Sequence, residues 1–295
     1  MPTPATLTRI DIYLEATQPV AWPHFAGSAL RGAFGRALRQ TACMTGLRRC
    51  DPCPLRPTCA YGEVFDPAPP AQPIHPSFRD GQPRYLVQAP PLGARQLSPG
   101  QPQQFSLLLL PGTEHHHSLI PHVLRTTVEQ QLMQPGLFKL RHTHSHPTDP
   151  QHHSPYHGQG PISLRWLSPV RLQHQGKTLF RPQQLDATAL AHSLHRRYLQ
   201  WQQLCNQPAT GPDLNTALQA AAQCQLDTRQ LHWHDMERRS STQQQKQPLG
   251  GLIGSAQLHG PRPALQTLWP LLQLGEQLHI GKETVMGLGR YQLQG

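Results

Sequence analysis

Hydrophobic periodicity changes along this chain in one order, and the order recurs, which leaves few folds open. Residues 7–14 alternate, with Leu7, Ile10 and Ile12 apolar and Thr8, Arg9 and Asp11 between them, as a half-buried strand does. Residues 26–40 carry Ala29, Leu30, Ala33, Phe34, Ala37 and Leu38 at helical spacing, with Arg31, Arg36 and Arg39 largely off that face. Residues 85–88 and 104–110 predict two more strands. Residues 118–133 predict a helix that tolerates Pro121 in its first turn, and residues 137–141 a fourth strand. Strand–helix–strand–strand–helix–strand is the ferredoxin-like order.

The order returns in the second half. Residues 162–174 predict strand, 187–204 and 213–222 helix, 225–237 and 252–259 strands, 264–274 helix, and the chain closes on an alternating segment at Tyr291. The expected fold is therefore α+β: two tandem ferredoxin-like, RRM-like domains at 1–141 and 162–295. A Cys- and Pro-rich insertion at 41–84 follows the first helix, and a His/Pro-rich linker or loop at 142–161 separates the domains.

The tail of the second domain concentrates glycine and positive charge. Gly281, Gly287 and Gly289 stand with Lys282 and Arg290 just before the last strand. Glycine permits φ > 0 and close backbone approach, and exposed amides in such a loop can line a nest for an anion. The order is neither a P-loop nor a dinucleotide fingerprint. The reading is an RNA-backbone contact by Gly281, Lys282, Gly287, Gly289 and Arg290.

Charge agrees. The formal net charge is +10, and arginine dominates the basic set, which favours a polyanion and bidentate phosphate contacts. A run of about 18 apolar residues is missing, so no membrane partner is expected. The N-terminus lacks the charged and apolar regions of a secretory signal. A cytoplasmic setting follows as the expectation, with cysteines reduced or metal-bound.

Cys43, Cys50, Cys53 and Cys59 are spaced x6, x2 and x5. Four thiolates suffice for a closed tetrahedral site, so structural zinc is expected, ahead of an iron–sulfur cluster. Cys205 and Cys224 lie in helical segments and read as buried and inert. His115-His116-His117 reads as solvated, and the six histidines of 142–161 are given no dedicated site.

Two histidines have better context for proton transfer near neutral pH: His24, leading into the first helix, and His279, immediately before the glycine loop. Arg238 and Arg239 close a strand pattern that carries Trp233, and pair phosphate clamps with a base-stacking ring. The acidic residues are spread thinly, which argues against a two-metal nuclease.

Gly27-Ser28-Ala29-Leu30-Arg31-Gly32-Ala33-Phe34-Gly35 resembles a helix of CRISPR-associated proteins of the RAMP superfamily. The Cys50-x2-Cys53-Pro54…Cys59-x-Tyr61…Phe65 run resembles an insertion found after that helix in one branch. Glu237-Arg238-Arg239-Ser240, Gly250 to Gly254, and His279 to Tyr291 resemble that branch's C-terminal half. The branch is the CRISPR precursor-RNA processing endoribonucleases. The resemblance implies two ferredoxin-like domains and metal-independent cleavage of CRISPR repeat RNA to crRNA by attack of a 2′-hydroxyl. It also implies retention of the product and partnership with other CRISPR effector subunits. A non-catalytic crRNA-binding subunit is the alternative. On this reading His24 or His279 transfers protons, Arg31 or Arg239 stabilises the phosphorane, and Arg36 and Arg238 contact the RNA. Arg239 stands where relatives often carry an aromatic residue.

Overall fold

The computed structural model describes residues 6–75, 78–150, 154–158, 160–206, 211–239 and 246–294, without the side chains of 237–239 and 246–248. The chain divides into two compact units, Met1–Asp149 with Gln203–Asn206, and Pro150–Gln202 with Gln207–Gly295.

In the first unit the elements run β1 (Leu7–Ala16), β2 (Val20–Trp22), α1 (Gly27–Ala42), β3 (Tyr85–Gln88), β4 (Arg95–Leu97), β5 (Pro102–Leu109), α2 (Ile120–Thr126) and β6 (Phe138–Thr148). The main sheet is antiparallel with order β3-β5-β1-β6, the ferredoxin-like arrangement. Its core forms as the alternation requires. Leu7, Ile10, Ile12, Leu14 and Ala16 of β1 are buried, and Leu30, Ala33, Phe34, Ala37 and Leu38 of α1 are buried with them.

β6 extends seven residues into the expected linker, since residues 142–148 are strand paired with β1. The sequence hid this because β6 lies at the sheet edge and its side chains in that stretch are exposed or half-buried. No apolar alternation marks a strand whose faces are not buried. β2 pairs with β4 in a small ribbon that carried no periodic signal.

The cysteine insertion packs back on α1 through a π-helical turn, Tyr61–Phe65. Phe65 stacks on Tyr85 (centroids 5.2 Å apart, planes 10° apart) and on Tyr61 at 5.1 Å. The glycine at position 35 makes this possible: a Cβ there would lie 2.4 Å from the Phe65 ring.

The second unit repeats the plan. β7 (Ile162–Val170) leads through the two-residue strands β8 (Gln173–His174) and β9 (Lys177–Thr178) to α3 (Ala187–Cys205) and α4 (Leu214–Ala222). β10 (Gln225–His234), β11 (Glu237–Arg239), β12 (Lys246–Pro248), β13 (Gly251–His259), α5 (Arg262–Leu278) and β14 (Tyr291–Gln294) complete it. The sheet order β10-β13-β7-β14 is again ferredoxin-like, with β11–β12 a hairpin between β10 and β13. Asp213 caps α4 by accepting from the Thr216 amide at 2.7 Å. Tyr291 is buried and donates its hydroxyl to the Leu272 carbonyl, which ties β14 to α5. Among the described residues no helix is long and apolar enough to cross a membrane.

The close contact at position 35 gives a paired test. Gly35→Ala should destabilise the protein by about 1–3 kcal/mol through overpacking. Gly32→Ala meets only the end of the Arg36 side chain, at 3.2 Å, and should be neutral or slightly stabilising. Thermal unfolding of the two variants checks the difference.

Candidate functional site

The connection from α5 to β14 is built from the inside outward. His279 ends α5 with φ 59° and ψ 162° and is wholly buried. Its carbonyl accepts the Nε hydrogen of Arg197 on α3 at 2.8 Å, and the same guanidinium donates to Thr284 Oγ1 at 2.7 Å. Arg197 keeps some surface, but its guanidinium is desolvated, and this lowers its pKa to about 10, with Arg196 adding like-charge repulsion. It therefore stays cationic at neutral pH. A desolvated positive charge sits under the glycine loop, and no acidic partner offsets it among the described residues.

The glycines answer to sterics. At Gly289 (φ +72°) a Cβ would lie 1.8 Å from the Ile280 carbonyl oxygen, and at Gly281 (φ +87°) 2.5 Å from the Arg171 carbonyl oxygen. The loop then folds on itself. Ile280 donates to Gly289, Lys282 to Arg171, Met286 to Glu283, Gly287 to Thr284, Gly289 to Pro169, and Arg290 to Ser168 Oγ. The expected anion nest is corrected at these six amides, because their N–H groups are already spent inside the fold. Of the loop's two basic side chains, Lys282 is exposed and Arg290 half-buried.

Proton transfer by His279 is corrected too. A histidine with no exposed surface does not reach an RNA hydroxyl in this fold, and its place is structural, at the junction of α5 and the loop. His24 is exposed, two residues before the N-cap Ala26, and its carbonyl accepts the Gly93 amide.

The α1 arginines are more committed to packing than their off-face positions suggested. Arg31 lies over the Phe65 ring at 4.9 Å and is half-buried. Arg36 is exposed and holds Gln131 through Oε1 at 2.9 Å and its carbonyl at 2.7 Å. Arg39 lies over the Tyr61 ring at 5.5 Å and donates to the carbonyls of Leu47 and Arg48. These contacts seat the cysteine insertion and the end of the second helical segment.

Arg238 and Arg239 fall on β11, opposite Gln247 and Lys246, and their side chains lie outside the described residues. Trp233 gives its indole hydrogen to Asp235 at 2.7 Å and sets its ring 5.0 Å from that of Phe180, which is exposed.

Cys43, Cys50, Cys53 and Cys59 are all half-buried and line one cavity of about 350 Å³, together with Leu55, Tyr61 and His116. No three of their sulfurs come within 4.8 Å of one another. Cys53 Sγ instead faces Thr45 Oγ1 at 3.6 Å, and Cys59 donates to the Ala42 carbonyl at 3.7 Å. Burial, then the Asp66 carboxylate, raises the Cys50 thiol, while the Gly46 backbone lowers Cys43. Thiolate chemistry fits zinc; these sulfur positions do not. Burial pushes Cys205 up to about 12 and also raises Cys224, as expected of inert thiols.

Arg197 and Thr284 were not found from sequence. One arginine of an Arg-Arg pair within an amphipathic helix carries no signal that it turns inward.

Two ferredoxin-like units in tandem, the second ending in an arginine-anchored glycine loop, define a protein of the RAMP class. Residues 4–162 match the family model AF_1859_N, an N-terminal domain, and residues 164–291 match the CRISPR-associated endoribonuclease Cas6. The second half of the chain thus carries the Cas6 domain, and the chain is a CRISPR-associated endoribonuclease of RAMP-like fold. Among curated proteins no sequence match is found. Thermus thermophilus Cas6 is similar in structure, with TM-score 0.59 and 14% identity over 99% of this chain and 100% of that one. A Cas6 product complex gives TM-score 0.61 and 15% identity, over 98% and 100%. A partial Cas6-RT-Cas1–Cas2 complex gives TM-score 0.62 and 14% identity, covering all of this chain but only 47% of that longer one.

The Arg197 contacts generate a stability prediction. Arg197→Met should lower stability by about 2 kcal/mol, because the Thr284 hydroxyl and His279 carbonyl lose a charged donor. Urea unfolding should show a lower midpoint, and an unchanged midpoint would contradict the clamp.

Proposed function

We propose that the chain cleaves CRISPR repeat RNA to crRNA without a metal ion. The ribose 2′-oxygen forms a bond to the adjacent phosphorus while the bond to the 5′-oxygen breaks, giving a 2′,3′-cyclic phosphate. The 2′-hydroxyl proton needs an acceptor, the phosphorane needs positive charge, and the 5′-oxygen needs a proton. The observation that carries the residue assignment is exposure: of the two candidate histidines, His24 is exposed and His279 is wholly buried. The imidazole of His24 takes the 2′-hydroxyl proton, and a solvent water protonates the departing 5′-oxygen. Lys282 and Arg290, raised on the loop above the Arg197 charge, hold the RNA backbone, and a net charge of +10 supports the same partner.

In the same proposal the product RNA stays bound, and the complex meets other CRISPR proteins; the Cas6-RT-Cas1–Cas2 assembly shows a similar structure in such company. Arg31, Arg238 and Arg239 remain the cations for phosphorane charge, with Arg31 least suited because its guanidinium lies on Phe65. A zinc ion on the four cysteines would be structural, and would require the sulfurs to turn toward one centre. No step of the reaction passes through it.

His24→Ala should lower single-turnover cleavage of repeat RNA by about 100-fold or more while leaving its Kd nearly unchanged. Rapid-quench kinetics with a parallel filter-binding titration separates the two effects. Full-rate cleavage by the variant would remove His24 from the reaction.

A further inference from the structure

The fold brings Glu63 against two adjacent histidines that lie 52 and 53 residues further along the chain. Glu63 lies in the π-helical turn after the cysteines, and His115 and His116 lie in the short 3-10 turn Glu114–His116 before α2. His115 Nε2 is 2.7 Å from Glu63 Oε2, and His116 Nε2 is 2.5 Å from the same oxygen. The two imidazole centroids are 3.9 Å apart. All three ligand atoms lie within 4.8 Å of one another. The solvated histidine run expected from sequence is thus corrected: His116 is largely screened, with 13% of its side chain exposed, and His115 stands at the open side with 58% exposed.

We propose that Glu63, His115 and His116 form a binding site for a borderline divalent cation of the zinc type. Two imidazoles and one carboxylate are a donor set that zinc accepts with a fourth position left to water. The carboxylate is available for it. Among the described residues Glu63 forms ion pairs only with these two histidines. A second cluster, Asp11 with His144 and His146, has similar spacing, but its carboxylate is already engaged by Arg9 at 2.9 Å and by Ser106. A guanidinium at that distance opposes a cation, so the second cluster carries no site.

The geometry needs little adjustment. Zinc–nitrogen and zinc–oxygen bonds of about 2.0–2.2 Å require the ligand atoms to spread by under about 1 Å from their present contacts. The open side at His115 gives the ion an entry path. The consequence is mechanical: a bound ion staples the turn that follows the four cysteines to the turn that precedes α2. The site is separate from the cleavage chemistry and stands whether or not that proposal holds.

The test is cobalt(II) titration of the full chain with any purification tag removed, followed by visible absorption. One equivalent should bind with d–d bands that Glu63→Gln and His115→Ala each remove, with at least about tenfold weaker uptake. His115 is exposed enough for its variant to fold, and circular dichroism on both variants confirms it. His122→Ala serves as the unaffected control. Absence of cobalt uptake by the parent protein, or uptake and spectra unchanged in both variants, would overturn the proposal. A spectrum consisting only of thiolate-to-cobalt charge transfer would overturn it too, by assigning the ion to the cysteines.

Discussion

One guanidinium sets the C-terminal part of the second unit. Arg197 reaches from α3 to the carbonyl that ends α5 and to the hydroxyl that starts the 3-10 turn Thr284–Met286. With both ends held, the loop's amides bond to carbonyls of the loop itself and to Ser168, Pro169 and Arg171, and Gly281 and Gly289 sit where no side chain would fit. Tyr291 then enters the core and fixes β14 against α5. The desolvated cation lies beneath, while the exposed charge of the loop is that of Lys282 and Arg290.

In the first unit the corresponding device is aromatic. Phe65 reaches α1 because residue 35 lacks a side chain, and Arg31 and Arg39 cover Phe65 and Tyr61 with their guanidiniums. A loop whose cysteine sulfurs do not converge still has a defined seat, because its last turn is packed rather than chelated. Arginines that the sequence offered as phosphate contacts spend much of their bonding capacity on this seat.

The periodic elements were readable because they bury a regular face. α1, β3, α3 and β13 fall within a few residues of their predicted bounds, and the duplicated ferredoxin-like order follows from them. The outer part of β6 was not readable because it buries no regular face, and the β2–β4 ribbon and the β8–β9 pair because strands of two or three residues are too short to show a period. At the site, the glycine loop was legible as a turn rich in glycine and positive charge, but not that six of its amides are bonded within the fold. Nearness in sequence placed His279 beside a phosphate-binding loop, whereas the end of α5 turns it into the core. The Glu63–His115–His116 cluster was out of reach for the opposite reason, since only the folded chain joins its two segments.

The central claim is that this CRISPR-associated endoribonuclease cuts repeat RNA by internal attack with groups of its own. End-group analysis of the products formed from repeat RNA in excess chelator tests it most directly. The account predicts cleavage at undiminished rate, with 2′,3′-cyclic phosphate and 5′-hydroxyl ends. Products bearing 3′-hydroxyl and 5′-phosphate ends, or cleavage that stops with the chelator, would contradict it.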